Sequence, residues 1–304
     1  MSRPLVLACD AAYAMQLTTT LRSIVETNQS GWPIEFHVLQ DGLTEATRTK
    51  VLNSLPRGSA SIRWVPVDSR LFGEFATAPH VSKMTYVRFL IPQVFPDTVS
   101  RVLYMDTDLL VLDDLTPAWE TDLEGAVVGA VLDRWDLQIK RSESGLEDVP
   151  RVRDYFNAGV LLIDLQRWRE ERVSEKAMNY MIRHCRTPFM DQDALNVACD
   201  GLWKKLEPRW NFHDHYGKRI LDMGPEQRPG VVHFVGKEKP WNASIPNVNA
   251  PLYDAFRSRT CFARTSQDKL WDILQGGWFY LKEVLRRYAF LRRVWKRIRP
   301  SRPR

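Results

Sequence analysis

Short apolar runs alternate with segments of helical spacing through the first two thirds of the chain. Residues 4–9 form an apolar run, and residues 14–26 carry apolar side chains at helical intervals. A strand pattern at 34–39, a helix pattern at 44–55 with Thr44 as its N-cap, and a strand pattern at 61–67 follow. Residues 85–93 read as a helix and 101–105 as a strand, with further apolar runs at 126–132 and 159–164. Helical spacing then runs through 165–184, and a shorter helix is expected over 192–199. Alternation of this kind predicts an α/β fold with a mostly parallel sheet covered by helices. Residues 203–250 are rich in Trp, His, Pro and Gly, with one short strand pattern at 231–235, and read as loops lying over a site.

The pattern changes after about residue 262. Leu281, Val284, Leu285, Tyr288, Leu291, Trp295 and Ile298 fall at helical spacing on one side, and Lys282, Arg286, Arg293 and Arg297 on the other. Charge follows the same boundary. Residues 282–304 hold ten Lys or Arg against one Glu, which leaves the other 281 residues at −3 of a net +6. The body is mildly acidic and the tail strongly basic. We therefore expect a body over 1–261 and a basic, aromatic, amphipathic tail over 262–304. The tail suits the plane of an anionic membrane surface, the alternative being a helix packed on the body with solvated charges. Nucleic acid is not expected as a partner, since that role asks for basic charge on the body.

Composition narrows the classes further. Hydrophobic residues at 44% and charged residues at 26% are ordinary for a globular chain of 304 residues. Four cysteines, Cys9, Cys185, Cys199 and Cys261, show no CxxC spacing, which argues against a cysteine zinc site or disulfide framework and for a reducing compartment. The segment ending at Cys9-Asp10 loosely resembles a lipoprotein cleavage box, but its apolar run is too short for a signal peptide. No stretch reaches the roughly 18 apolar residues of a membrane span. No internal repeat is evident.

Four motifs carry chemistry. In Tyr104-Met-Asp106-Thr-Asp108-Leu, apolar residues run into Asp-x-Asp and then resume. Carboxylates two apart on an extended segment share a side, the carboxyl ends of strands are where open α/β sheets bind ligands, and hard oxygen ligands suit Mg²⁺ or Mn²⁺. In Phe156-Asn157-Ala-Gly159-Val, a turn leads into a buried strand: Gly159 would admit close approach to the backbone, and the Asn157 amide suits sugar hydroxyls. Asp191-Gln192-Asp193, at a helix start, offers a carboxylate and an amide, or simply a cap. In His233-Phe-Val-Gly236-Lys237-Glu-Lys239-Pro-Trp241, an imidazole precedes residues suited to a diphosphate. Each motif alone is as well explained by turns, caps or structural hydrogen bonds.

Taken together, the four supply metal carboxylates, an imidazole, phosphate cations and sugar-reading amides. Their order resembles that of the retaining glycosyltransferases of family eight, in particular the bacterial galactosyl- and glucosyltransferases of lipopolysaccharide and lipooligosaccharide. The resemblance covers roughly residues 4–260. It implies a GT-A fold, a UDP-sugar donor, a saccharide or lipid-linked glycan acceptor, and Mn²⁺ as the usual metal, with Mg²⁺ as the alternative. It implies Asp106, Asp108 and His233 as metal ligands and Gly236 and Lys239 as diphosphate contacts. It also implies Asp10 and the His80-Val81 segment at the nucleotide, Arg88 at the donor, and Asp133, Asn157, Asp191 and Gln192 around the transferred sugar. Gln192 matches the residue nearest the reacting face of the anomeric carbon. One departure is Ala12, where the family often has Asn; it bears on base contacts and nucleotide specificity, not on the metal site.

An amide is a poor nucleophile, so Gln192 favours departure and attack on one face of the sugar, with the leaving phosphate taking the acceptor's proton; Asp191 as a transient nucleophile is the lesser alternative. The expected protein is a cytoplasmic enzyme, peripheral on the inner face of the cytoplasmic membrane. Two other classes stay open. A nucleotidyltransferase would want a Gly- and Lys-rich phosphate loop after the first strand, which residues 8–16 lack. A non-catalytic nucleotide-sugar or glycan-binding module would bind without turnover. Alternate histidines at His213 and His215, with His80, suggest a second metal site only if a third ligand converges. The tryptophans, Trp210 and Trp241 included, read mainly as core.

Overall fold

The first strand explains the sheet. Arg3–Asp10 (β1) is buried along almost its whole length, as a strand covered on both faces must be. Its side chains divide strictly: Leu5, Leu7 and Cys9 enter one apolar cluster and Val6 and Ala8 the other. The computed structural model describes residues 3–73, 75, 82–133, 152–184, 187–213, 218–242, 245, 247–271, 273, 274 and 277.

Around β1 the chain builds a seven-stranded sheet. The other members are Ile34–Asp41 (β2), Ala60–Pro66 (β3), Arg101–Met105 (β4), Val128–Leu132 (β6), Phe156–Asp164 (β7) and Trp203–Lys205 (β8), in the order β3-β2-β1-β4-β7-β6-β8. Pairs β1/β2, β2/β3, β1/β4 and β6/β8 are parallel, whereas β7 is antiparallel to both β4 and β6. The mostly parallel expectation holds, with β7 as its exception. A small second sheet joins Leu109–Val111 (β5), Phe212–His213 (β9) and Val231–His233 (β10), in the order β5-β10-β9. Only β10 was announced, by the short strand pattern at 231–235; β5 and β9, three and two residues long, were not.

Local departures have physical reasons. Thr44 caps the helix Glu45–Leu52 as expected, its side chain accepting from the Thr47 amide. The helical spacing at 165–184 is broken into Leu165–Glu170 and Val173–Arg183 by Arg172, which takes a left-handed φ of 52°. Residues 83–94 form a 3₁₀ helix, Lys83–Leu90, and one α turn, Ile91–Val94, rather than one regular helix. Phe156 and Asn157 are not a turn; they lie within β7, buried. The irregularity comes just after them. On β6, Ala130 opposes Leu161 and the adjacent Val131 opposes Asn157, so residues 158–160 of β7 bulge out of register. Accordingly Phe156, Ala158, Leu161 and Ile163 face one cluster while Val160 and Leu162 face the other. That bulge carries Gly159.

Trp210 is core: it is buried and packs against Gly230, where a Cβ would meet its ring. Trp241 is half-buried against the third apolar cluster.

Candidate active site

β4 ends at Met105 and β5 begins at Leu109, so Asp106 and Asp108 sit in the link between the two sheets. Helix Ala14–Thr27 grips this link. The buried Thr20 hydroxyl lies 2.8 Å from both the Thr107 and the Leu109 carbonyl oxygens, and the Val111 amide donates to Ser23 Oγ at 3.0 Å. The antiparallel β5–β10 ladder then sets His233 opposite Leu109, and the Phe234 amide donates to the Asp108 carbonyl at 3.0 Å. This second sheet brings together ligand residues 125 positions apart in the chain.

Ligand atoms of Asp106, Asp108 and His233 lie within 4.8 Å of one another. Among the described residues, no other trio of His, Cys, Asp or Glu converges in this way. His213 lies edge-on to His233 with ring centroids 5.8 Å apart, and His215 falls outside the described residues.

The carboxylates have divided labour. Asp106 Oδ1 accepts from Arg88 Nη2 at 2.8 Å and from the Tyr104 hydroxyl at 2.6 Å, while Asp108 Oδ2 accepts from Lys239 Nζ at 2.6 Å. The remaining oxygens, Asp106 Oδ2 and Asp108 Oδ1, lie 3.9 and 3.2 Å from His233 Nε2. Two anionic oxygens and one imidazole nitrogen thus face a common point, a donor set that fits a hard or borderline divalent cation. Burial works against ionised Asp108, but Lys239 and His233 together hold its carboxyl well below the usual carboxylate range.

Arg88 is buried and fully engaged. It donates to Ala158 O at 2.5 Å and Thr85 O at 2.9 Å, and its Nε pairs with Asp191 Oδ2 at 3.1 Å. One guanidinium therefore serves both Asp106 and Asp191. Asp191 also accepts from the Thr85 hydroxyl at 2.5 Å. Burial nonetheless pushes its carboxyl up to about 6, Arg88 and Thr85 offsetting only part of that desolvation.

Asp191 and Gln192 open the helix Met190–Ala198, entered through Met190 at a left-handed φ of 50°. Side chains of that helix bind the bulged end of β7. Asn196 accepts from the Phe156 amide at 2.8 Å and donates to its carbonyl at 2.9 Å, and Gln192 Oε1 accepts from the Ala158 amide at 3.0 Å. Gln192 Nε2 donates to Asp133 Oδ2 at 3.1 Å, and Asn157 Nδ2 reaches the same oxygen at 3.3 Å.

Asp106, Asp108, His233, Arg88, Asp133, Asn157, Asp191 and Gln192 line one cavity of about 970 Å³, together with Asp10, Gly236 and Lys239. Asp10 caps the first 3₁₀ turn through the Ala12 and Tyr13 amides and accepts from the Ser82 hydroxyl at 2.5 Å. Gly236 takes φ 73°, and a side chain there would meet nothing within 4 Å. His80 and Val81 lie outside the described residues. Sequence reasoning passed over Tyr13, Ser82, Thr85 and Tyr104, which also line the cavity. Tyr13 meets Trp241 edge-on at 6.4 Å, and burial with Asp108 and Asp10 nearby pushes its phenol up to about 12. The only signal for the Thr20 anchor was the run Thr18-Thr19-Thr20, three successive polar residues within a helix pattern.

The sequence profile described as glycosyl transferase family 8 matches residues 4–244. General stress protein A of Bacillus subtilis (strain 168) is 28% identical over 84% of this chain and 93% of its own length. Lipopolysaccharide 1,2-glucosyltransferase of Escherichia coli (strain K12) is 25% identical over 79% of this chain and 73% of its own length. A crystal structure of the galactosyltransferase LgtC in complex with donor and acceptor sugar analogs superimposes with a TM-score of 0.73 at 29% identity, covering 87% of this chain and 98% of that one.

Proposed function

The chain belongs to glycosyl transferase family 8 and is a glycosyltransferase, and from that premise we propose that it is a metal-dependent, retaining hexosyltransferase. In this reading it moves galactose or glucose from a UDP-sugar to a hydroxyl of a saccharide or lipid-linked acceptor, in cell-surface glycan or lipopolysaccharide assembly. One observation carries the reading: Asp106, Asp108 and His233 turn ligand atoms to one point in the cavity that also holds Asp133, Asn157, Asp191 and Gln192. Similarity to the lipopolysaccharide glucosyltransferase and to LgtC supports the choice of sugar and acceptor class.

Asp106, Asp108 and His233 would hold the cation, Mn²⁺ by family resemblance with Mg²⁺ as the alternative. When bound, it supplies Lewis-acid stabilisation to a diphosphate leaving group. Lys239, already paired with Asp108, adds positive charge where negative charge develops as the glycosidic bond breaks, with Gly236 leaving room beside it. Asp10 serves the nucleotide, and Asp133, Asn157 and Arg88 shape the sugar end. Gln192 is held at both ends of its amide, by Asp133 and by the Ala158 amide, and by family resemblance it stands nearest the reacting face of the anomeric carbon, where an amide is a poor nucleophile. The acceptor oxygen then attacks the face from which the phosphate leaves; the C1–O bond to phosphate breaks, and the acceptor's proton passes to the phosphate oxygen. Both Asp191 oxygens are engaged, one by Thr85 and one by Arg88, which supports positioning over a nucleophilic role.

Residues 1–261 are read as the catalytic domain and 262–304 as a membrane-associating tail, with the enzyme working on the cytoplasmic side. Among the described residues no helix is long and apolar enough to cross a membrane, and Leu270, Trp271, Ile273 and Leu274, at the start of the tail, are exposed.

The test is release of nucleotide from UDP-galactose, UDP-glucose, UDP-N-acetylglucosamine and GDP-mannose, with Mn²⁺ or EDTA, beside Asp108→Asn. Metal-dependent release from a UDP-hexose, lost in the variant, is expected. Donor binding with no release, alone or with saccharide acceptors, would instead support a non-catalytic module.

A further inference from the structure

We infer that Asn211 is a positioning residue that fixes the tautomer of His233 with one end of its amide and the orientation of Asn157 with the other, so that cation site and sugar site are built as one unit. The inference rests on the reading of Asp106, Asp108 and His233 as the cation site. Asn211 closes the 3₁₀ turn Pro208–Asn211, directly before β9, and is 2% exposed.

One group in this chain of hydrogen bonds cannot reverse its role. The Gly159 amide N–H donates to Asn157 Oδ1 at 3.0 Å, so that atom is an acceptor. Asn157 Nδ2 lies against Asp133 Oδ2, which also accepts from Gln192, and this agrees with the same orientation. The Asn211 atom 2.8 Å from Asn157 Oδ1 must then be the donor, Nδ2. Its other end is Oδ1, which only accepts, and it lies 2.9 Å from His233 Nδ1. In the neutral ring the proton therefore sits on Nδ1, and Nε2 turns its lone pair toward Asp106 Oδ2 and Asp108 Oδ1. That lone pair faces two carboxylate oxygens, an arrangement that a cation between them satisfies. The backbone of the β7 bulge thus dictates, through two amides, which nitrogen of His233 is available as a ligand.

Two substitutions separate the two ends. Asn211→Leu removes both hydrogen bonds at similar volume. Asn211→Asp keeps an acceptor for His233 Nδ1 but sets a second acceptor against Asn157 Oδ1. Mn²⁺ affinity without donor, read by electron paramagnetic resonance of free Mn²⁺, should fall 10- to 100-fold in Asn211→Leu. It should stay within about threefold of wild type, or tighten, in Asn211→Asp, while the KM for the sugar donor rises at least about tenfold. Independently of metal, ¹⁵N shifts of His233 in the metal-free protein at pH 8 should show Nδ1 protonated in wild type and in Asn211→Asp.

Wild-type Mn²⁺ affinity in Asn211→Leu, equal losses in both variants, or an Nε2–H tautomer in wild type would each overturn the inference. Should Asn211→Leu not fold, the Asp variant and the ¹⁵N measurement still decide it. If wild type binds neither Mn²⁺ nor Mg²⁺, the cation-site reading itself fails and takes the inference with it. A wild type that binds Mn²⁺ while the tautomer is wrong leaves that reading intact.

Discussion

The backbone of Gly159 runs against the imidazole of His233 so closely that a methyl group on Gly159 would come within 2.6 Å of Nδ1 and nearer still to Cε1. The two residues meet because the bulge in β7 pushes Gly159 out of the ladder at the point where β10 delivers His233. Gly159→Ala must therefore displace the ring or the strand. We expect a stability loss of about 1–3 kcal/mol, the usual cost of overpacking, and at least a 100-fold fall in metal-dependent nucleotide release. Thermal unfolding and the donor assay check both; wild-type turnover in this variant would refute the contact.

Thr20 tests the support beneath the two aspartates. Its hydroxyl is buried and serves the carbonyls of Thr107 and Leu109. Thr20→Val keeps the shape but leaves those carbonyls short of a donor, at a cost of about 1–3 kcal/mol. Denaturant unfolding should show that loss, and Mn²⁺ affinity should weaken with it as the Asp106–Asp108 link loosens. Thr20→Ser, which retains the hydroxyl, should restore most of both.

Asp191 gives a pH dependence of unusual sign for a carboxylate. Burial raises its carboxyl from the ordinary 3.8 to about 6 in the folded protein. The folded state then holds a proton that the unfolded chain has released. This contribution to stability is fully present below about pH 4 and is lost as pH rises through about 6. Relative to Asp191→Asn, wild type should lose roughly 3 kcal/mol between pH 4 and pH 7. Unfolding free energies of the two proteins across that range measure it, and a difference that does not change with pH would contradict the burial argument.

The tail is tested with vesicles. Full-length protein should cosediment with vesicles rich in anionic lipid, release as salt rises, and ignore zwitterionic vesicles. Glutamine at Lys282, Arg286, Arg293 and Arg297 should abolish that binding and leave nucleotide release from a soluble donor unchanged.

The sequence by itself determined the α/β class, six of the seven strands of the main sheet and which residues gather at the candidate site; Trp203–Lys205 fell in a stretch read as loops. Fully buried strands need long apolar runs, and β1, β2, β4 and β7 supply them. Asp106, Asp108, Asn157, Gly159, Asp191, Gln192, His233, Gly236 and Lys239 from the four motifs, with Asp10, Arg88 and Asp133, reach one cavity, because carboxylates, amides and an imidazole at strand ends and helix starts leave a visible signature. Only the tertiary structure decided how they meet. The second sheet rests on strands too short to generate a period, yet it alone brings His233 to Asp108. The bulge at 158–160 depends on the register between β6 and β7, and the left-handed turns at Arg172 and Met190 on the packing of the helices they introduce. Thr20 and Asn211 act through single hydrogen bonds to partners up to 89 residues away. Such bonds depend on which backbone carbonyls and buried side chains folding brings within reach, and no local pattern of hydrophobic and polar residues records that.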